Sequence, residues 1–207
     1  ATLFSATLSP AHYYQNLLGL PEATQWIDVE SPFSAEQLAV LSVSNLSTRY
    51  LHRQTSLQPI SHLMANQFGQ RPGNYLAFFS SYSYLQQAME QFAQDYPQIP
   101  IWAQSRSMNE AERAYFLSRF QAHSQGIGFA VLGGAFGEGI DLPGKRLIGA
   151  FIATLGLPQI NPVNEEMKER MQAMFADSGG NGYDYAYLYP GLQKGVQAAG
   201  RVIRSTD

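Results

Sequence analysis

Between residues 75 and 154 short apolar runs alternate with longer stretches in which apolar residues return every three or four positions. Tyr75-Leu76-Ala77-Phe78-Phe79 is an unbroken run of strand length. Leu85, Ala88, Met89 and Phe92 then mark one face of a helix whose other side carries Gln86, Gln87, Glu90 and Gln91. Residues 99–103 give a second strand. Ser107-Met108-Asn109-Glu110 has the form of a capping box and opens a helix lined by Ala114, Leu117 and Phe120, with Phe116 on the neighbouring row. Residues 127–132 form a third strand and residues 146–154 hold a fourth. Strand and helix patterns alternating at this spacing predict right-handed crossovers into a mostly parallel sheet, and so the α/β class.

The flanks are less regular. Tyr13, Tyr14, Leu17 and Leu18 predict a helix that ends at Gly19 before Pro21, and residues 26–29 predict a short strand. Residues 31–55 predict irregular chain plus one strand over 38–43. Leu57, Ile60, Leu63, Met64 and Phe68 mark a helix stopping at Gly69. Beyond the fourth strand, Met167, Met171 and Met174 recur at helical spacing and predict a packed face. Ser178-Gly179-Gly180-Asn181-Gly182 predicts a hinge, and Tyr183, Tyr185, Tyr187 and Tyr189 predict aromatic packing leading into a final helix. The whole is expected to be a single domain over 1–207, with a helical insertion at about 155–190.

Composition narrows the chemistry. With 207 residues, 45% of them hydrophobic, the chain can bury a substantial core. A net charge of -3 provides no global attraction to nucleic acid, so any polyanion must be held by a local cluster of cations and backbone N–H groups. The chain has no cysteine, which excludes disulfides, thiolate catalysis and iron–sulfur or zinc-thiolate sites built from it alone. His12, His52, His62 and His123 lack ligand spacing and are expected to be structural. No apolar run approaches a membrane span, and a cytoplasmic location is expected.

Candidate chemistry concentrates at the C-terminal end and in two loops. On a helix, Gln197, Arg201 and Arg204 would share one stripe, with Val196, Ala199 and Ile203 on the opposite face and expected to pack inward. Two guanidiniums a turn apart, beside an amide and next to Gly200, can grip a planar or anionic group such as phosphate. The same stripe also fits the solvated side of an amphipathic helix. In open α/β sheets ligands collect where strands end and helices begin. Ser80-Ser81-Tyr82 occupies such a place and fits either a phosphate site or a plain serine cap. Gly133-Gly134-Ala135-Phe136-Gly137-Glu138-Gly139-Ile140-Asp141-Leu142-Pro143-Gly144 occupies another, with glycines for close approach and two carboxylates.

Gln-Ala-Ala-Gly-Arg-Val-Ile-Arg at 197–204 resembles the last signature motif of superfamily 2 helicases, in the form typical of the DinG-type DNA helicases. Ser-Ala-Thr-Leu-Ser-Pro at 5–10 resembles the short helicase motif that couples nucleotide state to the other site. Phe-Phe-Ser-Ser-Tyr is similar to the DinG-type motif that touches the single-stranded DNA backbone. The long glycine loop resembles the family's G-x-x-x-E-G-x-D-x-P-G motif, with Gly137 standing where relatives often carry a larger residue. The four occur in helicase order across almost the entire chain.

The resemblance implies a RecA-like, P-loop-NTPase-type three-layer lobe with helices on both faces, the second motor lobe of a DinG-type helicase and a piece of a longer protein. It implies that Arg204 and Arg201 reach the γ-phosphate of ATP, and that Gln197 orients the nucleotide or the attacking water. Glu138, Gly139 and Asp141 would lie on the nucleotide side; Ser81, Tyr82, Gly133 and Gly134 would grip single-stranded DNA; Ser5 and Thr7 would relay nucleotide state. ATP and Mg2+ would serve the full-length protein, with phosphates and metal held by an N-terminal lobe, and any iron–sulfur cluster would belong to that missing part. The fragment itself is expected to be monomeric and inactive.

Gly139-Ile140-Asp141-Leu142-Pro143-Gly144-Lys145-Arg146 mimics a P-loop's spacing, but Arg146 stands where Ser or Thr must hold magnesium, and Pro143 has no N–H to offer. No G-x-G-x-x-G or G-x-S-x-G occurs, which disfavours a dinucleotide oxidoreductase and an α/β-hydrolase. Two rival readings are a self-contained module that holds a phosphorylated metabolite without catalysis, and a purely structural role resting on the methionine-lined helix.

Overall fold

A computed structural model describes residues 2–137 and 140–203. Glu138, Gly139 and Arg204, three of the candidate site residues, lie outside the described residues.

The four apolar runs form one parallel sheet. Strands β1 (Asn74–Phe79), β2 (Ile101–Ala103), β3 (Gly126–Val131) and β4 (Gly149–Ile152) stand in the order β2-β3-β1-β4. Every residue of β1 is buried, as expected of a central strand covered on both faces. Alternate side chains feed two cores. Tyr75, Ala77, Phe79, Ile127 and Phe129 pack under helices α2 (Arg53–Gln70) and α3 (Tyr82–Asp95), while Leu76, Phe78 and Ala130 pack against Phe116, Phe120, Phe136 and Ala198 on the other face. Phe116 belongs to α4 (Glu110–Ser118) and Ala198 to α6 (Tyr189–Ala199), so helices cover both faces and the lobe has three layers. Each of the fully buried phenylalanines contributes about 1.5–3 kcal/mol by leaving water.

The local signals explain most boundaries. Ser81 caps α3 by accepting the Tyr84 N–H at 3.3 Å. The capping box of α4 sits two residues later than predicted: Asn109 accepts from the Glu112 N–H, and Glu112 accepts the Asn109 N–H. Helix α5 (Pro162–Phe175) starts earlier than its methionine pattern indicates, because Asn161 caps the Asn164 N–H and Pro162 suits the first turn.

Four expectations are corrected. Residues 26–29 and 38–43 form no strand; Ile27, Val29, Val40 and Leu41 are each more than three-quarters exposed. A strand needs a neighbour for its ladder, and neither segment pairs with a described strand. The methionine face of α5 is not packed, since Met167 and Met174 are exposed and the helix buries no residue. The final helix ends at Ala199, so Gln197 and Arg201 do not share a helical stripe; after Gly200 the chain turns, with Arg201 N–H bonded to Ala198 and Val202 N–H to Ala199. Finally, it is Ala198 that packs inward, whereas Val196 is exposed. The alternating tyrosines enter a single π-helical turn, Asp184–Leu188, and Tyr185 and Tyr189 each pack near Tyr13 of α1 (Ala11–Leu17), with ring centroids 5.0 Å apart.

Candidate functional site

The carboxyl ends of the strands carry the candidate residues. Parallel pairing sets Phe79 level with Val131, and Leu132 N–H donates to the Phe79 carbonyl at 2.8 Å. The loops after β1 and β3 therefore leave the sheet side by side. On the first, Ser80 accepts from Arg53 Nη2 at 2.9 Å and Ser81 serves as the helix cap. Arg53 also lies over the rings of Tyr50 and Tyr84 at 5.2 and 5.1 Å. Burial pushes the Tyr84 hydroxyl above its ordinary pKa, against the opposing pull of its hydrogen bond with Ser56 and of the Arg53 charge.

On the second loop, Gly133 takes φ +75, a left-handed conformation that side chains resist, and Gly134 N–H turns back to the Val131 carbonyl at 3.1 Å. Phe136 anchors the loop into the core against Phe116, with centroids 4.3 Å apart. A Cβ at Gly137 would lie 3.0 Å from the Gly133 nitrogen, so the loop closes on itself where a larger residue would hold it open.

Between these loops sits a residue without a motif to announce it. Gln104, just past β2 and 7% exposed, donates from Nε2 to the Tyr82 hydroxyl at 2.7 Å and accepts the Val131 N–H on Oε1 at 3.0 Å. It ties Tyr82 to the root of the glycine loop. Arg106 places its guanidinium 5.7 Å from the Tyr82 ring centroid. From α6, the stem of Lys194 passes between Gly133 and Gly156: a Cβ at either glycine would lie 3.0 Å from Lys194 Cδ. Arg53, Arg106 and Lys194 have no described carboxylate in ion-pair reach; the printed pairs, Lys168–Glu165 and Arg170–Glu166, lie on α5. A chain of net charge -3 thus gathers cations along one edge. Gln104, Arg106 and Lys194 escaped the sequence reading; the place of Gln104 at a strand's carboxyl end was the available signal.

The C-terminal residues meet the same loop. Arg201 donates from Nε to the Gly137 carbonyl at 3.4 Å and from Nη1 to the Ile140 carbonyl at 3.2 Å, on either side of the undescribed Glu138 and Gly139. Asp141 is exposed beside it. Gln197 is half-buried on α6, three residues beyond Lys194. Gly200 is exposed and makes no close approach to a neighbouring element. Ser5 and Thr7 join each other through their hydroxyls at 3.2 Å, and the Thr7 carbonyl accepts the Tyr14 O–H at 2.7 Å. Tyr14 in turn accepts from Gln193 on α6, which links the N-terminal motif to the helix carrying Gln197. Among the described residues no three His, Asp or Glu side chains come together as a metal group, and no helix is long and apolar enough to cross a membrane.

The helicase C-terminal domain family matches residues 64–207. The chain belongs to that family. This helicase C-terminal domain also superposes on solved structures. On an XPD helicase it reaches a TM-score of 0.67 at 18% identity, covering 98% of this chain and 36% of the other. On an XPD structure in its apo form it reaches 0.71 at 19% identity, covering 98% and 41%. The fold of the lobe is accordingly the RecA-like one, and the chain spans about two-fifths or less of the proteins it matches.

Proposed function

We infer that this helicase C-terminal domain is the second motor lobe of an ATP-dependent DNA helicase of the DinG type, coupling hydrolysis to movement on and unwinding of DNA. The observation that carries the reading is the convergence of Arg201 on the glycine loop whose neighbour across the sheet is the Ser80–Tyr82 turn. One piece of backbone then touches both the cationic C-terminal segment and the rim suited to a nucleic-acid strand.

In this reading ATP lies between this lobe and an N-terminal one. Arg204 and Arg201 face its γ-phosphate, where such cations neutralise transition-state charge and contribute about 10³ to 10⁵ in rate. Gln197 orients the nucleotide or the attacking water. Glu138, Gly139 and Asp141 line the nucleotide side, and Ser5 with Thr7 passes nucleotide state to α6 through Tyr14 and Gln193. Ser81, Tyr82, Gly133 and Gly134 hold single-stranded DNA. Mg2+ and the phosphates are held by the N-terminal lobe in this reading, and any iron–sulfur cluster of the longer protein would draw its thiolates from outside this chain, whose sequence has no cysteine. The helical stretch at about 155–190 is read as an insertion, and DNA repair in the cytoplasm as the setting.

The test is ATP hydrolysis by the whole protein with and without single-stranded DNA, beside the isolated lobe. Stimulation in the first and no turnover in the second are expected; turnover by the lobe alone, or indifference to DNA, refutes the reading.

A further inference from the structure

Gln104 has a buried amide whose orientation is fixed by chemistry. The Val131 N–H can only donate, so the group it meets at 3.0 Å must be the amide oxygen. The amide nitrogen is then the group facing Tyr82, and it can only donate, at 2.7 Å. The Tyr82 hydroxyl is therefore an acceptor toward the protein, and its own proton has no acceptor among the described residues. Tyr82 is half-buried on the edge where the β1 and β3 loops emerge, with the Arg106 guanidinium above its ring. A hydroxyl proton directed outward beside a guanidinium calls for an anionic oxygen.

We propose that Gln104 is a positioning residue that sets the polarity of Tyr82, so that the Tyr82 O–H and Arg106 together bind one phosphodiester oxygen of a single strand. This rests on the DNA-binding reading above and extends it to two residues outside the motifs. The site takes a nucleic-acid backbone, with no base contact required. Tyr82 acts here through its hydroxyl proton, distinct from stacking by its ring, whose face is covered by Arg106.

The experiment measures binding of a fluorescein-labelled, mixed-sequence single-stranded oligonucleotide to the full-length protein by anisotropy. The variants are Tyr82→Phe, Gln104→Glu, their double and Arg106→Gln. Glutamate keeps the acceptor for Val131 N–H but draws the tyrosine proton inward. Tyr82→Phe and Gln104→Glu should each weaken binding about ten- to 150-fold, the range for one hydrogen bond to a charged group. The double should be no weaker than the weaker single, because both remove the same outward donor. Arg106→Gln should also lower the salt slope by about 0.7, a change Tyr82→Phe should not produce. If Tyr82→Phe binds like the parent, or if the two losses multiply as simple charge repulsion by the glutamate would, the proposal fails while the helicase reading stands. If the parent protein does not bind the strand at all, both fail. Should Gln104→Glu not fold, Tyr82→Phe alone decides.

Discussion

Arg201 holds Ile140 by its carbonyl at 3.2 Å and reaches Gly137 with the same guanidinium, so one side chain bridges the glycine loop across Glu138. Two donors in a fixed fork make this possible, and lysine cannot imitate it. Arg201→Lys keeps the charge but loses the bridge. In the whole protein we expect ATP turnover to fall by about 10² to 10³, the usual effect of losing one preorganised donor near developing charge. Steady-state ATPase assays at saturating single-stranded DNA would show it, and near-parental turnover would mean that charge alone matters there.

Arg204 tests the other half of the proposal. Arg204→Ala should leave ATP affinity largely in place while DNA-stimulated hydrolysis falls about 10³-fold or more. Calorimetry with a non-hydrolysable analogue and a turnover assay separate the two quantities. A loss confined to affinity would assign Arg204 to ground-state binding.

The sheet was legible in the sequence because its strands are covered on both faces, and a doubly buried strand must be an unbroken apolar run, as Tyr75 to Phe79 is. The loops were legible because close backbone approach demands glycine: Gly133 has the positive φ and sits against Lys194. What escaped depends on distant partners. Ile27 and Val40 have strand-like neighbours in sequence, yet no described strand runs beside them. Arg201 departs from its helical phase because Gly200 and the β-branched Val202 and Ile203 disfavour helix, while its guanidinium finds carbonyls in the loop. Gln104 belongs to no local pattern at all; only the parallel register brings Val131 and Tyr82 within reach of one amide.

Lys194 supplies a third prediction. Its stem is held between two glycines and its ammonium is Nζ 3.6 Å from where a Cβ on Gly133 would stand. An aliphatic stem so confined presents its charge in one place at low entropic cost. Lys194→Gln should weaken single-strand binding at low salt and reduce the slope of log affinity against log salt by about 0.7, the value for one phosphate on a single strand. Anisotropy titrations from low to moderate salt give the slope directly. An unchanged slope would place the ammonium away from the DNA.

The helical stretch beyond the sheet carries its own titration. The Tyr187 hydroxyl donates to Glu165 at 2.7 Å, and burial together with that carboxylate pushes its pKa up to about 12. Glu165 is held below its ordinary value, chiefly by the Lys168 ammonium and then by Tyr187. A tyrosine raised in the folded state stabilises fully below its ordinary value of about 10, where neither state has lost the proton. Between there and about 12 the unfolded chain ionises first, so that stabilisation drains away. Glu165 works in the opposite sense: its share is present above the ordinary glutamate range and is lost as pH falls through its lowered value. Tyr187→Phe removes the alkaline titration and weakens the acid one. Melting curves of the chain should therefore show a parent-minus-variant Tm difference that is greatest near neutrality and shrinks above pH 10 and below about pH 4, while the other raised tyrosines, Tyr13, Tyr84 and Tyr189, cancel between the two proteins. A difference that stays flat across both limbs would show that the Tyr187–Glu165 bond does not persist in solution.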